Sequence, residues 1–209
     1  MGYYPVFLEM KQRRCVVIGG GTVAERRVEG LLAAGASVTV ISPALTESLR
    51  GLLAQGAIRH LAREHRPGDL TGCELAFVAM DDPELNAAAC REARSRYVWV
   101  NSVDDPAHCD FILPAVVRRG RLVVAVSTGG ESPAAARAIR EELDEYIGSD
   151  YAQLVQIAGD VRKELRSKLI RPSVEAWSNA LKGDFRRLIK EGRPEQAKAL
   201  LLETLWAKS

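Results

Sequence analysis

The stretch Cys15-Val16-Val17-Ile18-Gly19-Gly20-Gly21-Thr22-Val23-Ala24 decides how the rest of the chain is read. Its opening apolar run, rich in β-branched residues and bounded by glycine, reads as a buried strand. Gly19–Gly21 then turn the chain. Val23, Ala24, Val28, Leu31 and Leu32 recur at helical spacing, with Glu25, Arg26, Arg27 and Glu29 on the wet side. Gly35 stops that helix, and Val38-Thr39-Val40-Ile41 is the next strand. Arg14 to Ser42 is therefore one βαβ unit, with a right-handed crossover.

The alternation continues outward. A helix is expected over Leu45–Gln55, a weak strand over Ile58–Leu61 and a stronger one over Leu75–Ala79. Glu84–Arg94 carries a helical pattern, and Tyr97–Val100 reads as a further buried strand. Apolar strands of this kind need cover on both faces, so a parallel sheet between helices is the economical solution. Function then gathers at the strands' carboxyl ends: Gly19–Gly21, Ser42, Ala79–Asp82 and Asn101–Asp105. Beyond Asp105 the pattern changes. Phe111–Val117 and Leu122–Val126 read as a hairpin-like pair around the turn Arg118-Arg119-Gly120-Arg121. Pro133 opens a helix running to Tyr146, and the chain from Tyr151 onward is helical. The fold class is α/β, with boundaries at 1–113 (Rossmann-like dinucleotide-binding domain), 114–150 (an α+β region) and 151–209 (a small helical domain).

The bulk properties exclude several classes. The 209 residues carry 29 Lys and Arg against 27 Asp and Glu, a net charge of +2. That balance does not describe a polybasic protein. Residues 151–209 hold 12 Lys or Arg and 7 Asp or Glu, a local +5. They lack a recognition-helix pattern or a series of stacking aromatics, so nucleic acid is not an expected partner. No apolar run reaches the roughly 20 residues that cross a bilayer, and the first residues lack the features of a secretory signal. The four cysteines, Cys15, Cys73, Cys90 and Cys109, show no close pairing pattern. A reduced, cytoplasmic chain without disulfides is the expectation.

Gly19-Gly20-Gly21-Thr22-Val23-Ala24 follows the G-x-G-x-x-A form of the dinucleotide fingerprint. Gly19 serves the tight turn, Gly21 lets the backbone approach a pyrophosphate, and Ala24 lets the helix pack close to the sheet. Thr22 and Val23 begin the helix whose free N–H groups face the anion. The strand before and the helix after supply the context that such a motif requires. At the end of the second strand stands Ser42 rather than a carboxylate. It is read either as a single hydrogen bond to a ribose hydroxyl or as a turn residue before Pro43. No arginine stands beside it to clamp a 2′-phosphate, so NAD is expected over NADP. His108 and Cys109 are adjacent but form no metal-ligand spacing, and no metal site is expected. His60 and His65 lie in polar sequence and are expected to be exposed.

The order of segments resembles the sirohaem synthase family, in its precorrin-2 dehydrogenase and sirohydrochlorin ferrochelatase type. The resemblance is carried by Tyr4-Pro5-Val6-Phe7-Leu8, Val17–Ala24, Ala79-Met80-Asp81-Asp82-Pro83 and Asn101-Ser102-Val103-Asp104-Asp105-Pro106. It continues through Cys109–Ala115 and Ser127-Thr128-Gly129-Gly130-Glu131-Ser132-Pro133. These cover roughly residues 3–146, and the chain looks like a stand-alone form without a methyltransferase domain.

The resemblance implies NAD-dependent oxidation of precorrin-2 to sirohydrochlorin. In some members ferrous iron is then inserted, iron being a substrate rather than a resident cofactor. It implies a homodimer built mainly from residues after about 114, which makes 114–150 a dimerisation and substrate-cleft region. Asp104 takes the family's catalytic acid position, with His108 a secondary proton-handling candidate. Asp81 and Asn101 join the cofactor contacts, Asn101 orienting either the nicotinamide amide or the loop beneath it. A substrate rich in carboxylates calls for cations and hydroxyls. Arg118, Arg119 and Arg121 on the turn, Arg137 and Arg140 on the next helix, and Ser127, Thr128 and Gly129 are the candidates. A solvated surface for the arginines and a backbone cap for the hydroxyls are the alternatives. The competing function is a non-catalytic, NAD-binding redox sensor or regulator, which the glycine loop alone serves equally well.

Overall fold

The computed structural model describes residues 2–103 and 105–207. Asp104 lies outside the described residues. The chain forms two compact units that divide after Ile112.

The first unit is built on five parallel strands: β1 (Arg14–Ile18), β2 (Ser37–Ile41), β3 (Ile58–Leu61), β4 (Leu75–Val78) and β5 (Trp99–Ser102). Their spatial order is β3-β2-β1-β4-β5. Between β1 and β4 the winding reverses, which creates the crevice where doubly wound sheets bind ligands. The helices are α1 (Thr22–Ala33), α2 (Glu47–Ala54) and α3 (Pro83–Ser95). Alternation along β1 explains why both sheet faces need cover. Cys15 and Val17 join Ala24, Val28, Leu31 and Leu49 in one core, while Val16 and Ile18 join Ala89, Cys90 and Ala93 in another. Each fully buried aliphatic side chain contributes about 1.5–3 kcal/mol.

Two sequence expectations shift here. The strand expected from Tyr97 begins at Trp99 and runs through Ser102. Tyr97 takes a left-handed conformation, φ 58°, as the chain leaves α3, and this is incompatible with a strand. His65 is largely buried, 3.2 Å from Glu92, with both side chains only 11% exposed. His60 is half-buried, its Nε2 lying 2.9 Å from the Ser42 carbonyl. Polar neighbours in sequence concealed both positions.

The second unit holds the hairpin of β6 (Ala115–Arg119) and β7 (Leu122–Val126), followed by helices α4 (Pro133–Tyr146), α5 (Ser149–Ser167), α6 (Val174–Ala180), α7 (Asp184–Lys190) and α8 (Pro194–Trp206). The antiparallel register pairs Arg119 with Leu122, leaving Gly120-Arg121 as a two-residue turn. Gly120, at φ 57°, supplies the positive angle that such a turn needs at its first position. Ile157, Val161, Leu165, Phe185, Leu201 and Leu205 form the core of the helical part.

Candidate active site

The glycine loop lies at the crevice between β1 and β4, and its three glycines face different surroundings. Gly19 has φ 118°, and a Cβ there would overlap the carbonyl of Ala79 at the end of β4. Gly20 is closed in from the β2 side: a Cβ would overlap the Ala44 carbonyl and meet Ser42 Oγ at 2.7 Å. A Cβ on Gly21 would meet nothing within 4 Å. The first two glycines let the loop pack against protein, and the third leaves room for something else. Gly21 is also the N-cap of α1, with no side chain bonded to the helix's first N–H groups. Thr22, Val23 and Ala24 thus begin a helix whose positive end opens onto free space, the requirement for holding a phosphate. The loop fits a dinucleotide pyrophosphate.

The walls of the crevice are fixed by short polar bridges. Thr46 donates its hydroxyl to Glu25 of α1 at 2.7 Å, accepts from Leu49 N–H at 3.2 Å, and donates its own N–H to the Gly20 carbonyl at 3.0 Å. Ser42 Oγ donates to the Ala44 carbonyl at 2.7 Å, and Ser42 is 8% exposed. Its hydroxyl thus closes the turn after β2. On the other side, Asn86 of α3 clasps Met80, accepting from its N–H at 3.2 Å and donating to its carbonyl at 2.9 Å. Asp82 caps α3 by accepting from Glu84 N–H at 2.8 Å and Leu85 N–H at 3.3 Å. Its neighbour Asp81 is exposed at the end of β4.

Beyond β5 the loop is organised around Cys109. Its Sγ lies 3.2 Å from the Ser102 N–H nitrogen, 3.2 Å from the Ser102 carbonyl and 3.3 Å from the Asp105 carbonyl. Burial raises the thiol's pKa above its ordinary value, which suits a hydrogen-bonding neutral group rather than a nucleophile. Asn101 donates its amide to the Phe111 carbonyl at 2.9 Å. Its nitrogen therefore braces the loop. Asp110 accepts from Val100 N–H at 2.9 Å and lies 3.4 Å from Arg94, which places it in the edge of the sheet. His108, in the short 3₁₀ turn Pro106–His108, holds its Nδ1 2.6 Å from Asp105 Oδ2. Both side chains are about a third exposed, at 38% and 32%. The catalytic candidate Asp104 lies outside the described residues. No cluster of metal-ligating side chains occurs among the described residues.

The expected arginines do not share one turn. Arg118 and Arg119 are successive residues of β6, so they point to opposite faces. Arg119 ties the hairpin to the end of α4, donating to the carbonyls of Ile147 and Asp144 at 2.9 Å each and pairing with the Asp144 carboxylate at 3.0 Å. Arg140 pairs with Glu141 at 2.6 Å, while Arg118, Arg121 and Arg137 are exposed. Thr128 Oγ1 accepts from Ser132 N–H and donates to the Ser132 carbonyl, both at 3.0 Å, and Ser127 Oγ accepts from Gly129 N–H at 3.1 Å. These hydroxyls hold the loop that leads into α4.

Sequence reasoning missed three residues. Thr46 was legible as an N-cap ahead of Glu47. Asn86 sat unremarked in an amphipathic pattern. Arg27, assigned to the wet face of α1, instead turns inward. Its Nε is buried without a hydrogen-bond partner, and its guanidinium lies 5.7 Å from the centre of the Phe77 ring.

The fold and the loop define a dinucleotide-binding protein of the Rossmann class. Residues 6–115 match a family described as NAD(P)-binding, and residues 119–146 match one described as sirohaem biosynthesis protein central. The siroheme synthase of Nitrosomonas europaea is 40% identical over 208 residues, 98% of this chain and 44% of that protein. That of Methylobacillus flagellatus is 38% identical over 203 residues, 96% of this chain and 44% of that protein. The chain thus spans less than half the length of these relatives. A solved structure titled SirC, precorrin-2 dehydrogenase, matches with a TM-score of 0.75 and 26% identity, covering 98% of this chain and all of that one. The chain belongs to the siroheme synthase family, as its NAD-binding module. No helix among the described residues is long and apolar enough to cross a membrane.

Proposed function

We propose that this chain oxidises precorrin-2 to sirohydrochlorin with NAD as the oxidant. The observation that carries this reading is the open, uncapped glycine cradle of Gly19, Gly20 and Gly21 in a chain that also matches the sirohaem-specific segment at 119–146. Likeness over the whole chain to a precorrin-2 dehydrogenase supports it.

NAD, when bound, supplies the acceptor for a hydride leaving the macrocycle. Gly21, Thr22 and Val23 hold its pyrophosphate through backbone N–H groups. Gly20 and Ser42 shape the β2 side of the cradle, and Asp81 and Asn101 line the β4–β5 side. Oxidation removes a proton together with the hydride, and Asp104 takes that proton. His108, held by Asp105 at 2.6 Å, passes it to water. The macrocycle's carboxylates are received by Arg118, Arg121, Arg137 and Arg140 and by the Ser127-Thr128-Gly129 loop. Arg119 drops from that set because its guanidinium is engaged within its own unit. Relatives named siroheme synthase support a second reaction on the product, with ferrous iron as substrate. Exposed Leu113, Ile139 and Tyr146 support a homodimer formed through the second unit. Four free cysteines accord with a reducing, cytoplasmic compartment.

The test is anaerobic incubation of the purified chain with precorrin-2 and NAD, followed by sirohydrochlorin with ferrous iron, both read optically. Tight NAD binding with no change in the tetrapyrrole spectrum would favour the regulatory alternative.

A further inference from the structure

Arg27 is a half-buried cation with no anion paired to it among the described residues. Its Nε is shielded from solvent and has no hydrogen-bond partner. Among the described residues no ion pair includes it. Burial lowers its pKa, Arg26 adds to that, and Cys109 opposes it weakly. Partial burial of an unpaired guanidinium costs free energy that the Phe77 ring face offsets only in part. Methionine or leucine would cover Phe77 without that cost.

The position of Arg27 on α1 says which ligand it faces. Ala24, Val28 and Leu31 point into the sheet. Glu25 flanks that face toward β2, where it meets Thr46. Arg27 occupies the opposite flank, over Phe77 of β4, which is in register with Asn101 of β5. Helical side chains lean toward the helix N-terminus, so the guanidinium leans toward the carboxyl ends of β4 and β5. In doubly wound folds the β2 side takes the adenosine half of the dinucleotide. The β4–β5 side is left to the reacting half and to the substrate.

We infer that Arg27 is a carboxylate-binding residue of the substrate site, completing its hydrogen bonds on an acid side arm of the tetrapyrrole. This rests on the proposed dehydrogenase reading, but its test does not require turnover. Uroporphyrin, a stable tetrapyrrole octacarboxylate, serves as the binding probe, followed by fluorescence quenching on the 209-residue chain. Arg27→Met keeps the length and removes the charge, and Arg27→Lys keeps the charge without the fork.

Arg27→Met is expected to weaken uroporphyrin binding and raise the KM for precorrin-2 by about 10- to 100-fold, the scale of a charge-assisted hydrogen bond. NAD affinity stays unchanged, Tm holds or rises, and Arg27→Lys recovers part of the loss. Unchanged uroporphyrin affinity in Arg27→Met, or no uroporphyrin binding by the parent chain, overturns the assignment. So does a loss of NAD affinity alone, which would give the guanidinium to a cofactor phosphate. A lower Tm with normal affinity makes Arg27 a packing residue only. If the parent chain fails to oxidise precorrin-2 while Arg27→Met still loses uroporphyrin affinity, the dehydrogenase reading falls and the anion site stands.

Discussion

Gly20 lies so close to Ala44 that a Cβ on the glycine would overlap the Ala44 carbonyl oxygen, and the same carbonyl accepts the Ser42 hydroxyl at 2.7 Å. One glycine therefore welds the phosphate loop to the turn after β2. The adjacent Gly21 meets nothing. Neighbouring substitutions should then fail in different ways. Gly20→Ala forces the loop and turn apart and is expected to cost about 1–3 kcal/mol of stability, read as a lower Tm. Gly21→Asp occupies allowed backbone, φ −84° and ψ −172°, and puts a carboxylate where the pyrophosphate approaches. It should fold, give a parental circular dichroism spectrum and lose NAD binding by calorimetry. Normal NAD affinity in Gly21→Asp would contradict the cradle.

Asp81 and Asp82 make a second contrasting pair. Asp82 caps α3 through two backbone N–H groups. Asp82→Ala should cost about 1 kcal/mol, with NAD affinity changing little. Asp81 has no such task, and Asp81→Ala should leave Tm unchanged and weaken NAD binding. Thermal melts beside NAD titrations on both variants check the assignment, and the reverse pattern would exchange their roles.

How much of this was legible in the sequence depends on how local each cause is. Gly19–Ala24 announced the loop because a strand, a tight turn and a helix start are neighbours in sequence. The strand order adds the crevice, but the alternation of Val16 and Ile18 with Cys15 and Val17 already required two covered faces. Arg27 was misplaced because helical spacing defines a buried stripe and says nothing of its flanks. Only the position of β4 puts Phe77 beneath that side chain. Arg118 and Arg119 read as a turn because arginine carries no strong strand signal, whereas the glycine angle at position 120 fixes a tighter turn one residue on. The fork of Arg119 on α4 was invisible because its partners lie 25 and 28 residues away. Ser42 was left between ribose and turn, and its hydroxyl takes the partner two residues ahead.

Acid should expose one half-buried pair. Arg63 donates to both carboxylate oxygens of Asp69 at 2.7 Å, and Arg66 N–H adds a third bond at 2.8 Å. The Arg63 hydrogen bond is the main reason the Asp69 carboxyl lies below its ordinary value, against a smaller opposing effect of burial. A carboxyl depressed in the folded state contributes stability that is complete above its unfolded pKa of about 3.9 and is lost as pH falls through the folded pKa. Asp69→Asn should therefore be less stable than the parent at neutral pH, and the two Tm curves should converge below about pH 4. Parallel curves down to acid would remove Asp69 from the account of acid sensitivity.

Asp104→Asn keeps the size of the side chain and removes its capacity to take a proton. NAD should bind normally, and precorrin-2 oxidation should fall by about 10²–10⁴-fold, the usual contribution of a general base. His108→Ala should slow turnover less than Asp104→Asn does. Rates on calorimetrically matched folded protein check both. Normal oxidation by Asp104→Asn would remove the base from the mechanism.

The central claim is that this chain moves a hydride from a tetrapyrrole to NAD. The measurement that tests it most directly is product stoichiometry under strictly anaerobic conditions, with NADH and sirohydrochlorin quantified in the same cuvette. The account predicts one NADH for each sirohydrochlorin formed, at a rate proportional to the parent chain and abolished in Gly21→Asp. Sirohydrochlorin appearing without NADH, or NAD binding with precorrin-2 left intact, would contradict it.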